Sequence, residues 1–201
     1  MKIYWIACVV ALTLLGCGDD DDGTDSGTVE TDSGNVGTDA ANIPLTCSDY
    51  CSTIMANCSF DQYMSLVECN NYCMGTPGWT DGTSADTSGN TLGCRIRHAG
   101  RAGTMDPTVH CPHAGPSGGN TCGTWCEVYC DQVAAHCTGA DEITFTPDCA
   151  TVCAGYGTGG ESGDLSGDTV QCRVTHSGVP ASVSSSQHCP HAGVDGGGTC
   201  I

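Results

Sequence analysis

The sequence predicts a small, disulfide-rich, mainly α fold made of two tandem repeats. Each repeat is a disulfide-linked helical hairpin followed by a short helix and glycine-rich loops. Three observations predict it. First, the chain of 201 residues holds 18 cysteines, and sixteen of them form two sets of eight. The first set is Cys47, Cys51, Cys58, Cys69, Cys73, Cys94, Cys111 and Cys122, with gaps of 4, 7, 11, 4, 21, 17 and 11. The second is Cys126, Cys130, Cys137, Cys149, Cys153, Cys172, Cys189 and Cys200, with gaps of 4, 7, 12, 4, 19, 17 and 11. Second, Asp86–Cys122 aligns without a gap on Asp164–Cys200, with 18 of 37 positions identical. The chain is therefore a tandem duplication, with repeat 1 over residues 45–122 and repeat 2 over 123–201. Third, aromatic residues are only 5% of the chain and glycines number 29. So few large side chains make a thin core, and small exported domains compensate with cross-links.

Residues 1–16 read as an export signal, with Lys2 as the positive start and Ile3 to Leu15 as its apolar stretch. A membrane span needs about 20 apolar residues, so the segment is too short to be a permanent anchor. Its end, Leu14-Leu15-Gly16-Cys17, resembles the lipobox of bacterial lipoproteins. The resemblance implies cleavage before Cys17 by signal peptidase II and a diacylglycerol on Cys17, an anchor that needs no transmembrane helix. An exported protein held on a bacterial membrane, at the outer membrane or the cell surface, is the expected location. Residues 17–44 continue as an acidic tether opening on Asp19-Asp20-Asp21-Asp22. This stretch has too little apolar surface to offset its ordering entropy, so disorder is expected, and its charge keeps it extended. Acidic runs beside a lipidated cysteine resemble surface-export signals of some bacterial groups.

Within each repeat, Cys47-x3-Cys51 and Cys69-x3-Cys73 set their sulfurs on one helical face each, since a spacing of four is about one turn. Thr46 with Asp49, and Thr124 with Glu127, have the spacing of capping boxes. Thr146-Pro147-Asp148 predicts a helix with proline at its first position. Two such helices facing each other resemble the twin CX3C hairpins of small disulfide-linked proteins. That resemblance implies the pairs Cys47–Cys73 and Cys51–Cys69, and in the second repeat Cys126–Cys153 and Cys130–Cys149. Around Cys94 a short helix is expected, stopping at Gly100, with Asp86 and Ser88 as ordinary residues of its start. His110-Cys111-Pro112-His113 reads as a tight turn, and the glycines after it as a loop pinned by Cys122.

Charge narrows the partners. The chain carries a net charge of −18, and after Cys17 its only basic side chains, histidines aside, are Arg95, Arg97, Arg101 and Arg173. Such a surface repels phosphate backbones and anionic headgroups, which excludes nucleic acid as an expected partner. The expected partners are the membrane, through the lipid, and an envelope or extracellular ligand. Only Gly123, Thr124 and Trp125 separate Cys122 from Cys126, so the repeats are expected to abut.

Chemistry, if present, resides in the repeated histidines. His98, His110 and His113 recur as His176, His188 and His191, and His136 alone has no counterpart. Imidazole ligates zinc and copper, and three converging imidazoles would form an open catalytic or electron-transfer site. Paired cysteines supply no thiolate, and histidines in such places also serve as hydrogen-bonded spacers. The c-type haem attachment signature is absent. Asp86-x-Ser88-x-Asn90 hints at calcium, but an EF-hand needs glycine at position six and glutamate at twelve. Thr91 and Arg97 stand there, and Thr169 and Thr175 in the second copy, so only a looser site using Asp81 or Glu161 survives. Arg95 and Arg173 are the repeated cations, suited to a salt bridge, a helix C-terminal cap or a bound anion.

No phosphate-cradling glycine loop before a helix and no His-Glu-x-x-His occurs, and the even cysteine framework leaves no free thiol nucleophile. The repeat as a whole is similar to a cysteine- and histidine-containing module of bacterial surface lipoproteins, a resemblance that implies a location and no activity. The leading expectation is an envelope lipoprotein acting as a disulfide-stabilised binding or structural module with no resident cofactor. The alternative is a metal-binding or redox lipoprotein holding zinc or copper on the repeated histidines, and a hydrolytic enzyme is the third.

Overall fold

The structure is a computed structural model that describes residues 45–59 and 62–201. The signal expected over residues 1–16, the lipidation expected at Cys17 and the tether expected through residue 44 lie outside the described residues. Those described belong to one compact unit, built from helices and, among the described residues, no strand.

The first hairpin pairs α1 (Cys47–Asn57) with α2 (Leu66–Met74). Thr46 caps α1 as its spacing implies, its hydroxyl accepting from the Asp49 N–H at 3.1 Å. Ser65 caps α2 in the same way, and the Glu68 carboxylate reaches back to the Met64 N–H at 2.7 Å. The second copy pairs α5 (Trp125–His136) with the short α6 (Cys149–Cys153). Thr124 caps α5, accepting from the Glu127 N–H. At α6 the expected start moves by two residues: Asp148 is the cap, accepting from the Thr151 N–H at 2.9 Å, and Pro147 lies just outside. A carboxylate at that position satisfies an orphan amide and favours the helix dipole.

Disulfides close each hairpin between Cys47 and Cys73, and Cys51 and Cys69, then Cys126 and Cys153, and Cys130 and Cys149. This is the pairing that the twin-hairpin resemblance implies. Two further bonds per copy reach beyond the hairpin: Cys58–Cys111 and Cys94–Cys122, matched by Cys137–Cys189 and Cys172–Cys200. All sixteen cysteines are thus paired, each within its own copy. Such bonds form and persist in an oxidising environment outside the cytosol. No helix among the described residues is long and apolar enough to cross a membrane.

The next elements are α3 (Leu92–Ala102) and α4 (Pro107–Ala114), and in the second copy α7 (Val170–Ser177), α8 (Val179–Val183) and α9 (Ser185–Ala192). Thr91 and Thr169 cap α3 and α7. The expected stop at Gly100 is not seen, because α3 runs through it to Gly103. At the equivalent Gly178 the helix does end. The difference is Pro180, which has no N–H for the helical ladder and whose ring clashes with the carbonyl four residues back. The His-Cys-Pro-His stretch is likewise not a turn. It forms the last part of α4 and of α9, with Pro112 and Pro190 inside. Each proline forfeits one backbone bond, and the disulfide at the preceding cysteine holds the helix in place. Glycines in the left-handed region then turn the chain, Gly118 and Gly119 at φ of +74° and +54°, toward the cysteine that pins the loop to α3.

Tyr50, Ile54, Tyr63 and Leu92 form the first core with the disulfides, and Val128, Tyr129, Val133, Val170 and Val174 the second. Tyr72 packs against both. A buried polar chain also crosses between the copies: Gln132 Nε2 donates to Thr76 Oγ1 and Gln132 Oε1 accepts from Ser177 Oγ, at 3.2 and 2.9 Å.

Candidate functional site

The packing of α3 on α4 brings the repeated histidines together. His98 sits one turn after Cys94 on α3, so the two share a face. His110 and His113, three residues apart, share a face of α4 and flank Cys111, which is bonded to Cys58 at the end of α1. One ligand atom from each of His98, His110 and His113 lies within 4.8 Å of the others. The second copy rebuilds the cluster from His176 on α7 with His188 and His191 on α9.

Hydrogen bonding assigns the protons. His98 Nε2 lies 3.3 Å from the Thr87 carbonyl, and His176 Nε2 lies 3.2 Å from that of Leu165. A carbonyl only accepts, so Nε2 carries the hydrogen and Nδ1 of the neutral ring presents its lone pair to the cluster. His98 Nδ1 is 3.1 Å from His110 Nδ1, and His176 Nδ1 is 3.1 Å from His188 Nδ1. In each pair the α4 or α9 partner therefore donates. The third ring meets the first edge-on, with centroids 4.9 Å apart for His98–His113 and 4.8 Å for His176–His191. Burial lowers the pKa of His98, His113 and His176, because a charged ring there loses its hydration. The neutral state is the ligating one. The Nδ1 atoms of His113 and His191 are buried and have no hydrogen-bond partner.

The Thr87 and Leu165 carbonyls carry no mark in the sequence, since backbone groups have no side-chain signature. The repeated aspartate beside each does. Asp86 accepts from the Thr83 N–H, the Thr83 hydroxyl and the Thr91 hydroxyl, tying the loop to the cap of α3. These bonds hold its carboxyl below the usual range. Asp164 accepts from the Glu161 N–H. The role expected for Asp86, a residue of the helix start, is corrected: Thr91 is the cap, and Asp86 positions the loop that orients His98.

A ring nitrogen of His98 also lies within 4.8 Å of the sulfurs of Cys94 and Cys122, as does one of His176 relative to Cys172 and Cys200. Both sulfur pairs are disulfides and offer no thiolate. Among the described residues, Asp81 and Glu161 join no group of metal-type donors. His136 is elsewhere, its Nδ1 donating to the Ser177 carbonyl at 2.7 Å.

The repeated arginines face inward. Arg95 stacks on Trp79 and Arg173 on Tyr156, each 3.9 Å from the ring centroid. Arg173 also forms a 3.0 Å ion pair with Asp168 and donates to the Gly193 and Val194 carbonyls. In the first copy Asn90 replaces the aspartate, and Arg95 bonds the Thr91 carbonyl alone. Both act as internal struts of the loop around the cluster.

A family model matches the chain twice, over residues 30–127 and 124–201, and is described as the BfoA family C-terminal domain. The chain belongs to the BfoA family. The two matches place one BfoA domain on each histidine cluster. No curated protein and no solved structure has significant similarity to the chain.

Proposed function

We propose that this BfoA-family protein is an envelope lipoprotein, anchored through Cys17, that serves as a disulfide-armoured binding module. The histidine clusters are its binding sites, and the acidic segment over residues 17–44 sets them off from the membrane surface. The observation carrying the reading is that both copies build the same three-histidine arrangement with the same two Nδ1 atoms at 3.1 Å, although loop lengths and capping residues around them differ. Eight disulfides give a rigid frame that keeps such side chains in place, and they demand export. Cys17 stands outside both eight-cysteine frameworks, which leaves it for acylation. Repulsion from the acidic surface weighs against nucleic acid as a partner.

The anchoring is tested by expressing the full chain in a Gram-negative host with an alkyne analogue of palmitate. Label and membrane fractionation that both disappear in Cys17→Ala are expected. An unlabelled protein, or a label that persists in Cys17→Ala, overturns the anchor.

A further inference from the structure

We infer that the ligand of each cluster is one transition-metal ion of the imidazole-binding class, copper before zinc, held by His98, His110 and His113 in one copy and by His176, His188 and His191 in the other. This rests on the reading of the clusters as binding sites.

The geometry is already near that of a bound ion. Two nitrogens on a tetrahedral centre with metal–nitrogen bonds of 2.0–2.1 Å sit about 3.4 Å apart. The paired Nδ1 atoms stand at 3.1 Å in both copies, and on binding the hydrogen that His110 or His188 donates from Nδ1 is given up there, the neutral ring keeping its hydrogen on Nε2. With all three donors inside 4.8 Å, the third ring has at most about 1.4 Å to close, through its side-chain torsions. His98 and His176 are held in the manner of ligating histidines, which donate their second ring nitrogen to a carbonyl and leave the other to the metal.

The third ring points to a ligand independently. His113 Nδ1 and His191 Nδ1 are buried without a partner. A buried polar atom left unpaired is costly, yet this orphan occurs at the same place in both copies. An ion answers it, accepting the lone pair that the fold leaves unused.

The donor set selects the ion. Calcium and magnesium want oxygen ligands, and no carboxylate joins either cluster among the described residues. Thiolate-loving sites are removed because the neighbouring sulfurs are bonded to each other. Neutral imidazoles suit copper and zinc, and at a shared site copper(II) binds tighter than zinc. Three protein ligands leave a position open for water or a further ligand.

The test uses the full chain exported and extracted in detergent, stripped with a chelator and titrated with Cu²⁺ or Zn²⁺ alone. Bound metal is counted after gel filtration. About two ions per chain are expected, about one in His98→Ala, and near none in His98→Ala/His176→Ala. With equal Cu²⁺ and Zn²⁺ supplied, copper is retained, and its electron paramagnetic resonance spectrum shows nitrogen coupling. The acidic segment and His136 remain in every variant, so ions they hold do not change across the series. A thiol assay confirms eight intact disulfides, and His113→Asn/His191→Asn provides a milder pair should the alanine variants misfold. Metal that persists in both double variants, or an empty wild-type protein with its disulfides intact, overturns the inference. An empty protein still labelled at Cys17 leaves the anchor standing; loss of the label with metal still bound removes the anchor alone.

Discussion

The hydroxyl of Tyr50 donates to the carbonyl of Ala114 at 2.7 Å and lies 3.0 Å from that of Tyr63. The first bond joins α1 to the last residue of the helix carrying His110 and His113, and Tyr129 repeats it on Ala192. All of Tyr50, Tyr63 and Tyr129 are buried. Replacing Tyr50 by phenylalanine leaves a buried carbonyl unpaired, at a cost of about 1–3 kcal/mol. Urea unfolding with disulfides intact is expected to show it. The loss should exceed that of Tyr129→Phe, since Tyr50 also gives up its contact with Tyr63.

Cys58–Cys111 fastens α4 between its two histidines. In the chain-entropy view a disulfide closing a loop of this size contributes roughly 3–4 kcal/mol. Cys58→Ala/Cys111→Ala should lose that much stability and weaken ion binding in the first copy only. Titration of the variant should resolve one unchanged site and one weakened site. Equal weakening of both would break the link between this bond and its own cluster.

Gly93 gives the loop of the first copy room to cross α3, because a Cβ there would collide with the Thr83 carbonyl. The second copy, whose loop is two residues shorter, has Gln171 of α7 at this place, donating to the Thr158 carbonyl. Gly93→Ala must therefore displace the loop that carries Thr87, at about 1–3 kcal/mol. Ring-proton shifts of His98 should move with it, whereas Gln171→Ala leaves those of His98 unchanged.

Acid should loosen the same loop. Hydrogen bonds from Thr83 and Thr91 lower the Asp86 pKa, so on acidification the unfolded chain takes up this proton before the folded one. The stabilisation is complete above the unfolded value, near pH 4, and is lost as pH falls through the folded value. Urea midpoints measured from pH 6 to 2.5 should decline less steeply below pH 4 in Asp86→Ala than in the wild type. Parallel curves would mean that the carboxylate contributes nothing to holding the loop.

Much of the fold was legible locally. Thr46 and Thr124 cap their helices because a hydroxyl reaches an amide three residues on whatever surrounds it. The sulfur spacing of four puts Cys47 and Cys51 on one face by helical geometry alone. Asp148 caps α6 and Pro147 stays outside it, an alternative that the sequence contained and proline's preference for a first helical position obscured. Pro112 and Pro190 misled because a proline usually ends a helix, and here a neighbouring disulfide outweighs one missing bond. Gly100 and Gly178 are identical residues with different outcomes, because Pro180 stands two residues beyond the second and Ala102 beyond the first.

The sequence by itself determined the duplication, the oxidised cysteine framework and which six histidines recur, since these depend on composition and spacing. Tertiary structure alone decided that Cys58 meets Cys111 and Cys94 meets Cys122, because the four cysteines outside the hairpin allow three pairings and spacing does not choose among them. It also decided that His98 meets His110 and His113, and that the Thr87 carbonyl holds the proton side of the ring away from them. Those contacts join separate segments of the chain, and only the packing of α3 on α4 brings them within bonding distance.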